Sequence, residues 1–362
     1  MGLPIMSVIF VAMAREMIRR SERGTVGMII KEASIPSTNP TIVYTEDDIP
    51  SSLSEANKEQ IKLALKGNDT APSKIVVYAI KTADEDYTEA LEYFELKKVT
   101  WLCCPTVDTD NQTDAVVAWV KKQRASRNRV KAVLPSKSEG TAPDCEGIIN
   151  YATDSVTVGS KTYTAESYCA RIAGLLAGTS YKKSATYAIL DEITECEKLD
   201  KDSLDEAVNA GKFVVFNDGE KIKVARAVNS LSTVKDGKAD AWKKIRVVET
   251  MDMMHDDLVL LTEDNYIGKY PNTYSNKCLL IAAITDYLKE LARNGLIEDY
   301  AIGLDADKIK DYIVENKGVG RDEAEAMAEE ELKKQYTDDK VFLKASVTLV
   351  DVMEDISLEI TV

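Results

Sequence analysis

The feature that most constrains the fold is a regular alternation of strand-like and helix-like segments between residues 74 and 134. Short apolar runs suited to buried strands are separated by segments whose apolar residues recur at helical spacing. The strand-like runs are residues 74–80, 99–104 and 129–134, and the helix-like segments are residues 84–96 and 113–125. This order, with short connections, is typical of a mainly parallel sheet covered by helices, so the sequence predicts an α/β domain.

Segments on both sides extend this domain. Residues 24–31 predict a strand, and residues 41–44 predict a short edge strand within a loop rich in Ser, Pro and Thr. Residues 165–177 predict an apolar helix. The sequence therefore predicts a central α/β domain that is larger than the alternating stretch.

The C-terminal half changes pattern and predicts an α+β region. Residues 213–216 and 221–225 flank an Asn-Asp-Gly-Glu stretch that favours the positive φ angles of a tight hairpin turn. The other predicted elements are helices at 204–210, 245–261 and 277–293 (the last stopped by Gly295), a helix through 314 capped by Asp305, one acidic helix at 322–335 and a strand at 341–350.

Both ends of the chain have strand-like composition. Ile356-Ser-Leu-Glu-Ile-Thr-Val alternates apolar and polar residues up to residue 362, and residues 7–11 are rich in β-branched and aromatic residues. A terminal strand frays unless its backbone groups pair with another strand. The two ends are therefore expected to pair with something else.

The overall charge argues against nucleic acid as a partner. The chain has 46 Lys and Arg against 61 Asp and Glu, a formal net charge of −15, whereas phosphate binding needs clustered basic residues. No apolar run approaches the roughly 20 residues of a membrane helix, and the apolar start lacks the preceding positive charge of a secretory signal. Six cysteines without a Cys-x-x-Cys pair are typical of reduced, buried thiols in a cytosolic protein.

Few residues are candidates for catalysis or metal binding. His255 is the only histidine, so a Ser-His-Asp or Cys-His relay would depend on this one position. Asp108 and Asp110 follow a predicted strand, where parallel sheets often place ligand sites, and two carboxylates there would suit Mg²⁺. The alternative is that Asp110 caps the next helix and Asp108 lies in a turn. Apart from this Rossmann-like, Mg²⁺-dependent enzyme hypothesis, the sequence predicts no catalytic residue, cofactor or metal.

Several ordered motifs resemble the contractile tail sheath family of phages and phage-tail-like bacteriocins. At the N-terminus these are Gly2-Leu3-Pro4, the predicted strand after it, and Arg23-Gly24-Thr25-Val26. In the C-terminal half they are the hairpin from Gly211, Val228-Asn229-Ser230-Leu231, Trp242-Lys-Lys-Ile-Arg, Glu263-Asp-Asn-Tyr-Ile-Gly-Lys, Pro271-Asn, and Lys340-Val-Phe-Leu-Lys leading into Met353-Glu-Asp. Residues 35 to 200 match the family only as an α/β region.

The resemblance implies a structural polymer rather than an enzyme. Sheath subunits of this family form six-fold rings stacked helically around a rigid tube, and the sheath contracts to drive the tube through a target envelope. The implied partners are other copies of the chain, the tail tube protein, and the baseplate and tail terminator proteins, with no nucleic acid and no membrane insertion. Assembly is expected in the bacterial cytoplasm, before the subunit becomes part of the released tail or virion particle.

The resemblance also implies four segments and two exchanged strands. The segments are an N-terminal arm (1–24), an α/β sheath domain (25–204), a C-terminal α+β sheath domain (205–350) and a C-terminal arm (351–362). In the family the arms add strands to sheets of neighbouring subunits. The residues expected to do so are Met6, Ser7, Val8, Ile9, Phe10, Val11, Ile356, Ser357, Leu358, Glu359, Ile360, Thr361 and Val362.

Overall fold

The computed structural model describes residues 24–84, 86–126, 128–136, 143–235 and 237–361. The chain divides into two compact units. One, the α/β unit, comprises the described residues of 21–252 and 352–362, and the other, the α+β unit, comprises residues 253–351. The chain thus leaves the α/β unit after Asp252 and returns to it at Val352.

The α/β unit contains twelve strands and five α-helices among its described residues. The strands are β1 Thr25–Glu32, β2 Thr41–Val43, β3 Lys74–Lys81, β4 Trp101–Cys103, β5 Lys131–Pro135, β6 Ile148–Tyr151, β7 Ser155–Val158, β8 Lys161–Thr164, β9 Glu195–Cys196, β10 Lys212–Phe213, β11 Val215–Asn217 and β12 Ile222–Val224. The α-helices are α1 Glu55–Leu65, α2 Thr88–Leu96, α3 Thr113–Ala125, α4 Ala165–Ala177 and α5 Lys201–Asn209.

A seven-stranded sheet in the order β10-β6-β5-β4-β1-β3-β2 forms the centre of this unit. All its pairs are parallel except that of the edge strand β2, which runs antiparallel to β3. The predicted α/β fold with a mainly parallel sheet is therefore confirmed.

Helices cover both faces of the sheet, which explains why its central strands are apolar at nearly every position. On one face Ile29 and Leu102 pack with Phe94 of α2 and Val116 of α3. On the other, Met28 and Val133 belong to a cluster with residues of α1 and α4, among them Ile61 and Ile172.

The helices α1 and α4 approach each other closely at Gly174. A Cβ atom at this position would lie 2.0 Å from the carbonyl oxygen of Ala64, a distance that no real contact allows. The absence of a side chain at Gly174 therefore permits this helix packing.

Two small sheets complete the unit. The predicted hairpin is confirmed, with β11 pairing antiparallel to β12 and Val215 opposite Val224. Strand β10 (Lys212 and Phe213), which precedes the hairpin by one residue, pairs in parallel with β6 at the edge of the large sheet. Strands β7, β8 and β9 form a separate three-stranded sheet, which was not predicted from the sequence.

The remaining elements are α6 Ile245–Asn265, which begins in the α/β unit, α7 Tyr274–Arg293, β13 Ile297–Leu304, α8 Ala306–Lys317, α9 Arg321–Ala326, α10 Glu329–Leu332 and β14 Leu343–Leu349. Strands β13 and β14 pair antiparallel, with Ala301 opposite Ser346. The Asp305 side chain accepts a hydrogen bond from the Lys308 backbone N–H, so the predicted cap of α8 is confirmed.

The single acidic helix predicted over residues 322–335 is wrong. Met327 and Ala328 have extended backbone angles that separate α9 from α10. The break lets two short helices bury Ala324 and Leu332 in one cluster with residues of α8. Packing thus overrides the helical spacing of the sequence.

We expect Gly174→Ala to destabilise the α/β unit by about 1–3 kcal/mol, because the added methyl group forces α4 away from α1. Chemical denaturation followed by circular dichroism measures this change. Gly303→Ala is the control, since a Cβ there meets no atom within 4 Å. An unchanged unfolding free energy for Gly174→Ala would show that the two helices can separate without cost.

Candidate functional site

The carboxylate of Asp110 is occupied by protein groups. It accepts hydrogen bonds from Lys31 Nζ at 2.6 Å, Tyr87 OH at 2.6 Å and Thr106 Oγ1 at 2.8 Å. Burial opposes ionisation, but these bonds prevail and lower the pKa of Asp110 below its ordinary value. Asp110 therefore joins β1 to the turn after β4, which is a structural role.

Asp108 lies in that turn, as predicted, and makes different contacts. Its backbone N–H donates to Glu166 Oε1, and its Oδ1 accepts a 3.4 Å hydrogen bond from Thr113 Oγ1. The prediction that Asp110 caps α3 is wrong, because Gln112 precedes the helix and makes no side-chain cap. Among the described residues, no three His, Cys, Asp or Glu side chains are grouped as metal ligands.

The other candidates for chemistry lie in separate places. On α6, His255 Nδ1 is 3.0 Å from Asp256 Oδ1. Cys103 and Cys104 are buried, and burial raises the pKa of both thiols. All six cysteines are free thiols, and four of them are buried as predicted, whereas Cys196 is half-buried and Cys278 is exposed.

A buried cluster of charged side chains, which was not predicted from the sequence, joins the first turns of α6 to α3 and β5. Asp252 binds Arg124 of α3 with both oxygens, at 2.8 and 3.0 Å, and Lys131 of β5 at 3.1 Å. Lys131 also pairs with Glu249 at 2.6 Å. Burial opposes the charge on Asp252, but Lys131 and Arg124 outweigh it and lower the pKa of Asp252.

The last described residues, which we call the C-terminal segment (352–361), carry a row of exposed apolar side chains. Ile356, Leu358 and Ile360 are 80%, 78% and 74% exposed, and no residue of this segment belongs to a strand. Side chains two residues apart lie on the same face when a chain is extended. The segment therefore presents an apolar face with no partner strand among the described residues.

Glu354 differs from the exposed residues of this segment, because its side chain is only 6% exposed. Its Oε1 accepts hydrogen bonds from Thr186 Oγ1 at 2.6 Å and Ser184 Oγ at 3.2 Å. Its Oε2 lies 3.0 Å from Lys244 Nζ and 3.5 Å from Arg226 Nε. The next residue, Asp355, accepts from Arg226 Nη2 at 2.6 Å but is 84% exposed.

The α+β unit contributes a second candidate surface, the two-stranded sheet of β13 and β14. In the described structure neither strand has a second neighbour, so the outer edge of each presents unpaired backbone groups. Most residues of both strands are exposed or half-exposed. Such a sheet can accept a further strand on either side.

Of the predicted exchange residues, Ile356, Ser357, Leu358, Glu359, Ile360 and Thr361 are described and belong to the exposed segment. Met6, Ser7, Val8, Ile9, Phe10, Val11 and Val362 lie outside the described residues. In the part of the chain that the structure covers, no helix is long and apolar enough to cross a membrane.

Two protein-family models match the chain. One, described as the phage tail sheath protein central domain, matches residues 81–230. The other, described as the phage tail sheath C-terminal domain, matches residues 237–362.

A relative of known identity matches over nearly the whole chain. The tail sheath protein of Clostridium phage phiCD119 is 36% identical over 366 residues, which cover 99% of this chain and 99% of that protein.

Solved structures share the fold. The sheath tail protein of Listeria innocua matches with a TM-score of 0.68 and 18% identity, over 83% of this chain and 92% of that one. The helical sheath of the anti-feeding prophage in its contracted state matches with a TM-score of 0.69 and 16% identity, over 94% and 93%. A chain in the six-fold symmetrised baseplate structure of that particle matches with a TM-score of 0.67 and 16% identity, over 94% and 93%.

We expect Asp252→Asn to destabilise the α/β unit by about 3–5 kcal/mol at neutral pH, because Arg124 and Lys131 would keep their buried charges without this carboxylate. The lowered pKa means that Asp252 stabilises the fold above its ordinary pKa of 3.8 and loses this effect as the pH falls through the lowered value. The difference from wild type should therefore shrink below pH 3.8.

Urea denaturation at several pH values measures both effects. Glu95→Gln is the control, because Glu95 and Lys122 are 3.7 Å apart and largely exposed, so its loss should cost less than about 1 kcal/mol. Equal effects of the two substitutions would refute the structural importance of the cluster.

Proposed function

The chain belongs to the phage tail sheath family, and from this we propose that it is the structural subunit of a contractile sheath. Copies form stacked hexameric rings around a tail tube, and shortening of the lattice drives the tube through a target envelope. The full-length relation to a tail sheath protein is the observation that carries this proposal. The fold is similar to that of chains in a contracted helical sheath and in a six-fold symmetrised baseplate. These similarities support the proposed helical stacking and the proposed six-fold rings.

The proposed organisation keeps the four segments expected from the sequence, with arms at 1–24 and 351–362 and domains at 25–204 and 205–350. The proposed partners are other copies of the chain, the tail tube protein, and the baseplate and terminator proteins at the two ends of the tail. Subunits assemble in the bacterial cytoplasm before they become part of the particle.

Neighbouring subunits are linked, in this proposal, by strand exchange. The donor at the C-terminus is Ile356–Val362, and the donor at the N-terminus is Met6–Val11. Two features support this part: the exposed apolar row of the C-terminal segment, and the two edges of the β13–β14 sheet, which have no partner strand among the described residues. Main-chain hydrogen bonds hold an added strand, and apolar pockets for alternate side chains set its register.

Energies of the expected size explain why such a link forms only in a lattice. Burying Ile356, Leu358 and Ile360 would gain roughly 5–9 kcal/mol. Ordering the backbone of about six residues costs about 1–2 kcal/mol per residue, which is comparable. One arm by itself is therefore marginal, whereas several linked arms reinforce one another by raising the effective concentration of each.

The enzyme alternative receives no support from the geometry of its two aspartates. The Asp110 carboxylate is already bound by Lys31, Tyr87 and Thr106, so a divalent cation would have to displace an ammonium group. The proposed function is therefore mechanical. Contraction would draw on a difference in free energy between two lattices of the same subunit.

We expect the purified protein to form hollow tubes or ring stacks of one width as its concentration rises. Negative-stain electron microscopy across protein and salt concentrations tests this. Because each subunit carries a formal net charge of −15, contacts between subunits should depend on ionic strength. If no tubes form, with or without the co-expressed tube protein as a template, the sheath proposal fails.

We expect deletion of Leu358–Val362 to leave a folded monomer that forms no tubes, because the donor strand is lost. Leu358→Ser/Ile360→Ser should behave similarly, whereas Ser357→Ala/Thr361→Ala alters the opposite face of the same segment and should assemble normally. Circular dichroism checks the fold and electron microscopy checks assembly. Normal tubes from the deletion variant would exclude strand exchange by this segment.

A further inference from the structure

Glu354 is the one strongly buried side chain in the stretch 353–356. Met353 and Ile356 are 90% and 80% exposed, so apolar burial contributes little to holding this stretch. The two oxygens of Glu354 instead contact two hydroxyl groups and two cationic groups, at 2.6 to 3.5 Å. Hydrogen bonds to charged groups are among the stronger polar contacts in proteins. The stretch is therefore held mainly through the Glu354 carboxylate, and the exposed Asp355 adds one contact, with Arg226.

The groups around Glu354 come from three separate parts of the α/β unit. Ser184 and Thr186 lie in the loop after α4, Arg226 follows β12, and Lys244 immediately precedes α6. The Thr186 hydroxyl also accepts a 3.0 Å hydrogen bond from the Ala227 backbone N–H, which orients it towards the carboxylate. The receptor for Glu354 is thus built by the fold of the unit.

One of these contacts links the segments on either side of residues 253–351. Lys244 lies just before the helix on which the chain departs, and Glu354 lies two residues after the return at Val352. Their 3.0 Å ion pair therefore joins the two segments of the α/β unit that flank residues 253–351 in the sequence.

We propose that Glu354 is a positioning residue that anchors the C-terminal arm to its own subunit, so that the part offered to a neighbouring copy begins at Ile356. This inference rests on the proposed strand exchange and adds the point from which the donor strand starts. Because the free part of the arm then begins at a fixed point, the donor strand can reach only a limited volume around the subunit. This limit raises the effective concentration of the strand at an acceptor sheet that lies at a constant distance in a regular lattice.

We expect the fold to survive removal of the anchor. Arg226 and Lys244 are 33% and 30% exposed, so water can solvate both cations when Glu354 is replaced, and Arg226 keeps its contact with Asp355. The informative variants are Glu354→Ala, which removes all four contacts, and Glu354→Gln, which keeps the shape and loses the charge. Asp355→Asn is the matched control, because it changes the neighbouring carboxylate, which is exposed and contacts the same arginine.

The first measurement uses monomer below the assembly concentration and does not depend on tubes. Thermolysin cuts before large apolar residues, so in wild type it should remove residues from Ile356 or Leu358 onwards while the Val352–Met353 bond resists. Thermolysin can cut this bond only when the stretch detaches from the unit, and in wild type this detachment breaks the contacts of Glu354. Because Glu354→Ala lacks these contacts, we expect the bond to be cut at least about tenfold faster in this variant. Mass spectrometry identifies the products, and synthetic peptides of each sequence correct for intrinsic cleavage rates.

The second measurement is tube formation by the same proteins. Glu354→Ala and Glu354→Gln should need at least about a tenfold higher concentration for assembly, whereas Asp355→Asn should assemble as wild type. Equal cleavage rates in wild type and Glu354→Ala would refute the anchor, and faster cleavage with normal assembly would refute its positioning role. If wild type itself forms no tubes, the sheath proposal fails, and the cleavage rates still decide whether Glu354 holds the segment.

Discussion

The burial of a parallel sheet on both faces is the constraint on which the rest of this structure depends. Parallel strands cannot be joined by tight turns, so every connection must cross a face of the sheet, and helices do this while satisfying their own backbone groups. Here the crossovers supply α1 and α4 on one face and α2 and α3 on the other. The loops that leave this layered core then bring distant parts of the chain together at its surface.

Two buried carboxylates lie close to the places where the chain departs from the α/β unit and where it returns. Asp252 lies at the departure and is held by Arg124 and Lys131, both buried. Glu354 lies at the return and is held by residues of three connecting segments. Charge-assisted hydrogen bonds are directional, so they fix the position of the chain at both places more narrowly than apolar contacts would. The path of the chain is thus defined at two points by charge.

Within the described residues, two surfaces that a compact monomer would normally protect have no covering element. Exposed sheet edges and rows of apolar side chains are liabilities in soluble proteins, which usually cover or charge them. The β13–β14 sheet and the C-terminal segment have this unprotected character. In a protein of the tail sheath family such surfaces are suited to contact between copies, and the acidic charge of the chain opposes association that is not complementary.

The sequence by itself determined the local elements and the family. Periodicity predicted α3 and α4 with their observed bounds, composition marked the β11–β12 turn, and the ordered motifs at both ends indicated the sheath family. These signals suffice because they depend on neighbours within a few turns or on residue types kept in order along the chain.

Only the tertiary structure decided which distant groups meet. Asp110 pairs with Lys31, 79 residues away, instead of capping the adjacent helix, and Glu354 binds Thr186, 168 residues away. The acidic segment breaks into α9 and α10 because both bury a side chain in the cluster that contains residues of α8. No local pattern encodes such partners, since a carboxylate or an apolar residue looks the same in the sequence whichever distant group it contacts. Packing of the whole core selects among them.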